Sequence, residues 1–559
     1  MLHKRVARAR RIALTGLAGA LAVSMTACAS ERGQDPAGEG QTGGTLVFGA
    51  AGDPKNFDPI FNDDGETFRV VRQIYDTLIT YKPGTAELEP GLAEKWEASN
   101  EGRTWTFTLR QGVKFHDGTP FDAEAVCFNF DRWHNMKGAA AQSQMIYYGD
   151  IFEGFASNEG DISGDPLYAS CEAKDEHTAV LNLTRPKGAF PDAFGLTSLS
   201  MSSPTALQKY NADEVTQSGD SFSYPAYANE HPTGTGAFKF ESFDRAAGTI
   251  TLVRNDEYWG QKAKLDKLIF RVIKDENARK QELISGTIDG YDYPNPADYQ
   301  TLRDAGAQVL VRPINNILYL GINQANNPKL QDVRVRKALD HAINKELLAQ
   351  NKMPEGAKAR DQFVPEEMNG YTNAVEKHEY DPDKARQLLA EAGAENLTLN
   401  FYVPTEVTRP YMPNPPEIAG AVSDDLKAVG INVQMVQRPW NGGYKDDVQK
   451  LGKHDIHLLG WTGDYGDPGN FIGTFFGREK AEFGFDNPEI FNALNAADAK
   501  VTDQAAKTAA YERAAVLISQ YVPAVPLTSS PPAIAVKANV HGLVPSPLTD
   551  ERFNTVSKG

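Results

Sequence analysis

Between Tyr319 and Gly460 the chain switches repeatedly between two hydrophobic periods, and that alternation restricts the folds open to it more than any other feature. Tyr319-Leu320-Gly321-Ile322-Asn323 reads as a strand. Asp332 then caps a helix that carries Val335, Leu339, Ala342 and Ile343 at helical spacing. Asp381-Pro382 opens a further helix, through Leu388 and Leu389 to Gly393, and 397–403 reads as a strand. A helix over 418–429 closed by Gly430, then strands over 431–436 and 456–460, complete the run. Strands and helices in this order build an α/β lobe on a mixed sheet.

A chain of 559 residues exceeds what one core can serve, so two or three domains are expected, and 41% hydrophobic with 10% aromatic residues suits globular domains. Near the start, Thr45-Leu46-Val47-Phe48 is a short strand followed by the turn Ala50-Ala51-Gly52-Asp53-Pro54. Gly52 there permits close backbone approach and is a candidate cleft residue. Residues 105–110 alternate large and polar side chains as a half-buried strand does, and Gln111-Gly112 turns into a second strand at 113–115. His116-Asp117-Gly118-Thr119-Pro120 is a turn, and Asp122 caps a helix from Ala123. This hairpin-to-helix corner reads as structural. Strands at 249–254 and 268–273, a helix at 277–284 ending at Gly286, and a helix around 509–520 extend the alternation.

Residues 1–27 carry five basic residues and no acid, then an apolar stretch, then Ser24-Met25-Thr26-Ala27 before Cys28. This is a secretory signal peptide. Small residues directly before a cysteine resemble a bacterial lipobox, which implies lipidation of Cys28 and anchoring on the outer face of the cytoplasmic membrane. Residues 28–43 are rich in Gly and hold no large apolar side chain, so they read as a flexible tether.

Without the leader's five basic residues, 52 Lys plus Arg face 74 Asp plus Glu, a formal charge of −22. That disfavours nucleic acid as a partner. Cys127 and Cys171 are the cysteines left beside Cys28, and export places them where disulfides persist. A Cys127–Cys171 bridge is expected, with two buried thiols as the alternative.

The loop Trp461-Thr462-Gly463-Asp464-Tyr465-Gly466-Asp467-Pro468-Gly469-Asn470-Phe471 follows an apolar run and packs aromatics, glycines and two acids into eleven residues. It has the composition of a strand-end loop that offers a carboxylate to a ligand. Arg409-Pro410-Tyr411 lies 55 residues before Asp464, also just after an expected strand. Ligands of such sheets gather at strand ends. Arg409 can grip a carboxylate with two parallel N–H donors while Asp464 accepts from an ammonium group, so the pair can hold a zwitterion by both ends. Tyr411, Trp440, Trp461 and Tyr465 are candidate walls and Gly463 a candidate backbone contact, while Asp467 reads as a turn cap.

Residues 105–126, the segment His231-Pro232-Thr233-Gly234-Thr235-Gly236-Ala237-Phe238-Lys239-Phe240 and the loop after Gly460 resemble the extracellular solute-binding family 5, which includes peptide- and nickel-binding proteins. Residues 409–471 are most similar to its dipeptide-binding branch. The resemblance implies a two-lobed periplasmic-binding-protein-like α/β fold of class II type, cluster C, with an extra subdomain, mixed sheets and a ligand cleft between the lobes. It implies lobe 1 at 44–315 plus 528–559, with a subdomain inserted at about 75–230, and lobe 2 at 316–527. It implies the receptor of an ABC importer, a monomer without catalysis or cofactor, that hands dipeptides or short peptides to the transmembrane subunits of a permease. Oligopeptide, haem or metal-chelate binding are the alternatives within the family, and the proline-rich Met412-Pro413-Asn414-Pro415-Pro416 leaves ligand length open.

Other classes fit worse. No GxSxG elbow, HExxH motif or cysteine near a suitable histidine marks a hydrolase. Lys239 stands where a dinucleotide fingerprint needs a third small residue. His454 and His457, three apart on an expected strand, would face opposite ways, which argues against a metal site.

Overall fold

Two mixed sheets organise the computed structural model, which describes residues 42–559 except Asp161, Ser163 and Asp220. The leader, Cys28 and the tether up to residue 41 lie outside the described residues. In the seven-stranded sheet of the first lobe, Thr45–Ala50 runs parallel to Lys267–Val272 and Gly290–Asp292. Phe238–Asp244 and Thr249–Arg254 extend it as an antiparallel hairpin on one side. On the other, the late strand Ala533–Lys537 slots antiparallel between Gly290–Asp292 and Ala307–Val311.

The second lobe is built on a six-stranded sheet around the wholly buried strand Asn316–Ile322, flanked by Ile456–Thr462 and Ala524–Ser529. Thr398–Thr405 lies parallel to both Ile456–Thr462 and Asn432–Pro439, so the sheet is mixed, as the strand and helix order implied. Helices form where the caps predicted them: Asp332, Asp381 and Asp122 each accept a backbone N–H from the first turn of Val333–Ala342, Pro382–Glu391 and Ala123–His134. The helix expected from 418 begins earlier, at Pro415, because Asn414 caps it.

The chain crosses between the large sheets at 312–315 and 530–532, and these crossings are bonded together. Asn316 Nδ2 donates to Ser530 O at 2.7 Å, and the Ser530 N–H returns to Asn316 Oδ1 at 3.1 Å. Beside them Arg312 is fully buried, donating to Asp292 at 2.7 Å and to Glu551 at 2.7 Å. A buried guanidinium flanked by two carboxylates is compensated for its lost hydration.

A smaller antiparallel sheet, in the order Ala93–Ser99, Thr104–Leu109, Thr178–Leu183, Tyr168–Asp175, carries its own aromatic core. A Cys127–Cys171 disulfide ties helix Ala123–His134 to its outer strand. The hairpin expected at 105–115 does not form. Both edges of Thr104–Leu109 are taken by Ala93–Ser99 and Thr178–Leu183, and 113–115 makes one isolated bridge, Lys114 to Pro120. Val113 and Phe115 bury through a tight turn instead. His116 docks that turn onto the other family segment, its N–H on Gly234 O and its ring Nε2 at 2.9 Å from Gly236 O.

Candidate functional site

Because Thr398–Thr405 and Ile456–Thr462 are parallel neighbours, the loops after them emerge at the same edge of the second lobe's sheet. That brings Arg409 and Asp464 onto one cavity of about 370 Å³, together with Tyr411, Trp440, Trp461 and Gly463. The first lobe closes it with Phe68, Arg72, Tyr147, Tyr293 and Asp550.

Arg409 lies with its guanidinium 4.8 Å from the centre of the Trp440 ring. Its own backbone closes a tight loop with Met412, N–H to O at 3.1 Å and O from N–H at 2.9 Å. Ser530, on the second crossing, donates to Pro410 O at 2.7 Å and fixes the loop from behind. Tyr411 packs flat on the strand at Gly460, where a Cβ would collide with its ring and with Ile317 O. Among the described residues no carboxylate lies within ion-pair distance of Arg409, whose Nη1 reaches only Thr408 O at 3.3 Å.

Asp464 is held by neutral groups. Tyr147 donates to Oδ1 at 2.9 Å across the lobes, Asn470 Nδ2 donates to Oδ2 at 3.3 Å, and the Asp464 N–H donates to Asn470 Oδ1 at 2.8 Å. Asn470 Oδ1 also takes the Trp461 indole N–H at 3.1 Å, so one amide aligns wall and acid. Asn315, on the first crossing, grips the adjacent Gly463 through both its backbone O and its Nδ2. Burial raises the Asp464 carboxyl to about 7, against the lowering effect of the Tyr147 and Asn470 hydrogen bonds. No Lys or Arg pairs with it among the described residues. The cavity thus contains a guanidinium and a carboxyl, neither of them neutralised by a partner.

Two candidates fall elsewhere. Tyr465 joins the aromatic core of the smaller sheet rather than the cavity lining. Gly52 lies one step behind it, its N–H on Glu66 Oε2 at 3.3 Å, and Glu66 lines the cavity in its place. Asp467 caps the turn Pro468–Asn470 through the Gly469 N–H at 2.7 Å and pairs with Lys507.

The opposed-faces reading of His454 and His457 is wrong, because His454 precedes the strand that begins at Ile456 and turns inward. The two rings meet at 4.4 Å, and Glu482 receives both: His457 Nε2 at 3.1 Å on its carboxylate and His454 Nε2 at 3.0 Å on its carbonyl. Burial beside His457 pushes His454 down to about 2, so it stays neutral. Among the described residues no group of three or more His, Cys, Asp or Glu is arranged to hold a metal ion. Sequence reasoning did not assign Tyr147, Asn470, Asn315, Ser530 or Glu482. Only Asn470 carried a local signal, as the polar residue closing the Asp464 loop.

Two α/β lobes joined by paired crossings, with a charged and aromatic cavity between them, define a binding protein of the periplasmic type. The description "Bacterial extracellular solute-binding proteins, family 5 Middle" matches residues 87–483, and the chain belongs to that family. It is 32% identical to the dipeptide-binding protein of Escherichia coli K12 over 92% of this chain and 94% of that one. It is 29% identical to heme-binding protein A of Haemophilus influenzae, over 92% of each chain. The dipeptide binding protein of Pseudoalteromonas sp. SM9913, solved in complex with Met-Leu, superposes with a TM-score of 0.78 at 25% identity over 92% of this chain and 100% of that one.

Proposed function

We propose that this chain is the receptor of an ABC importer that captures dipeptides or short peptides and presents them to a membrane permease. The observation that carries the reading is the pair Arg409 and Asp464, a guanidinium and a carboxyl without charged partners, on one cavity between the lobes. A zwitterion supplies the missing partner of each: its α-carboxylate for the guanidinium stacked on Trp440, its α-ammonium for the carboxyl held by Tyr147 and Asn470. Tyr411 and Trp461 are the walls, and Gly463 the close backbone approach. A cavity of about 370 Å³ lies at the small end of ligand sites, which favours short peptides over long ones. The dipeptide-binding relatives support the same reading.

Binding is the whole of the chemistry proposed, with no cofactor and no catalysis. The receptor works as a monomer, tethered to the outer face of the cytoplasmic membrane through lipidated Cys28, and the permease recognises the closed, occupied form. The lobes divide at the crossings 312–315 and 530–532, so the later boundary falls after the expected 528, because Thr528 and Ser529 still belong to strand Ala524–Ser529. Among the described residues no helix is long and apolar enough to cross a membrane. Native mass spectrometry of the protein from its host, with bound molecules released and identified, tests the reading. Intact dipeptides support it. Haem, a metal chelate or long peptides would overturn the two-ended clamp, and cleaved peptide after incubation would mark a hydrolase.

A further inference from the structure

The same cavity holds a third charge that a peptide's termini leave unused. Lys480 lines it, and among the described residues no carboxylate lies within ion-pair distance and no acceptor takes its ammonium group. Burial lowers its pKa, so the site does not hydrate the charge as bulk water would.

Glu482, the lining acid two residues further on, is already committed. It accepts the Tyr319 hydroxyl at 2.8 Å and His457 Nε2 at 3.1 Å on Oε1, and Gln449 reaches Oε2 at 3.5 Å. Asp150, on the opposite wall, faces Arg478 at 3.7 Å. The same lining includes a group of rings, with Phe475 5.2 Å from Tyr319 and 6.0 Å from Trp461. Lys445, the other lysine of the lining, sits 5.6 Å from the centre of the Trp440 ring, on the ring that Arg409 also covers, so Lys480 is the ammonium group left to meet a ligand carboxylate away from Arg409.

We infer that Lys480 reads an acidic side chain of the bound peptide, so that the receptor prefers dipeptides containing Glu or Asp. This rests on the peptide reading above and narrows its substrate class. The ligand then brings a second carboxylate, and the cavity supplies a second cation to meet it.

The test uses isosteric pairs, Ala-Glu against Ala-Gln and Glu-Ala against Gln-Ala, titrated calorimetrically into the wild-type protein and into Lys480→Met. In wild type the Glu member of at least one pair should bind roughly ten- to a hundredfold more tightly, the worth of a charge-assisted hydrogen bond. The order that shows the preference identifies which side chain meets Lys480. Lys480→Met should erase the difference while keeping Gln-peptide affinity, which also reports that the variant is folded. Equal binding of Glu and Gln members in both orders overturns the inference and leaves the peptide reading standing, as does a preference that survives Lys480→Met. Failure of all four dipeptides to bind overturns both.

Discussion

Asn470 holds Asp464 from two sides, donating through Nδ2 to the carboxyl at 3.3 Å and accepting the Asp464 backbone N–H on Oδ1 at 2.8 Å. An amide side chain carries its donor and its acceptor on separate atoms fixed in one plane. Asn470→Ala should therefore weaken dipeptide binding by about 1–3 kcal/mol without touching the ligand directly. Calorimetry with unchanged far-UV circular dichroism checks it, and undiminished affinity would mean that Tyr147 alone orients the acid.

The elevated Asp464 pKa gives two linked pH effects. With its carboxyl titrating near 7 in the unliganded protein against an ordinary value of 3.8, the folded state binds more protons than the unfolded chain between those values. Unliganded stability therefore falls as pH rises through that window. Asp464→Asn should raise the unliganded Tm at pH 8 by ~2 °C or more while abolishing measurable dipeptide binding. A lower Tm in the variant would show that the charged carboxylate is better solvated than its neighbours imply.

Ligand affinity runs the other way with pH. The ammonium group of a dipeptide needs the ionised carboxylate, so affinity should fall below pH 7 by up to about tenfold per unit, with protons released on binding. Above about pH 8 it should fall again as the ligand's own amine loses its proton. Calorimetric titrations in buffers of different ionisation enthalpy measure the proton release directly.

Much of this arrangement was legible in the sequence wherever the cause is local. Asp122, Asp332 and Asp381 are helix caps by side-chain chemistry alone, and all three cap. Arg409 and Asp464 were recognisable as strand-end charges, but their convergence depends on Thr398–Thr405 pairing in parallel with Ile456–Thr462. The partners that tune them come from far away. Tyr147 lies 317 residues from Asp464 and Ser530 lies 120 from Pro410, and neither sits in a periodic pattern that would single it out. Local reasoning misled where a segment had a competing partner: 113–115 read as a strand, yet both sides of Thr104–Leu109, its expected hairpin partner, are taken by other strands.

Arg409→Lys tests whether the cation must be planar. Lysine keeps the charge but loses the stack on Trp440 and the two parallel donors that match a carboxylate. Affinity should drop roughly ten- to a hundredfold. Arg409→Ala, which leaves the ligand carboxylate buried without a partner, should cost about 3–5 kcal/mol. Equal affinity in the Arg and Lys proteins would mean that a point charge suffices, and undiminished affinity in Arg409→Ala would remove Arg409 from the site.

The disulfide offers a stability prediction that is separable from binding. Cys127 and Cys171 are 44 residues apart, and their bond holds the outer strand Tyr168–Asp175, paired on one side only, against helix Ala123–His134. Closing a loop of that length stabilises the fold by about 4 kcal/mol when chain entropy alone is counted. The double variant Cys127→Ser, Cys171→Ser should lose up to that amount in denaturant titration. Neither cysteine lines the cavity, so dipeptide affinity should hold. The same small unit also supplies Tyr147 to Asp464 across the lobes. A parallel loss of affinity would therefore mean that loosening its far edge reaches the carboxyl, and that the unit moves as one body when the ligand is released.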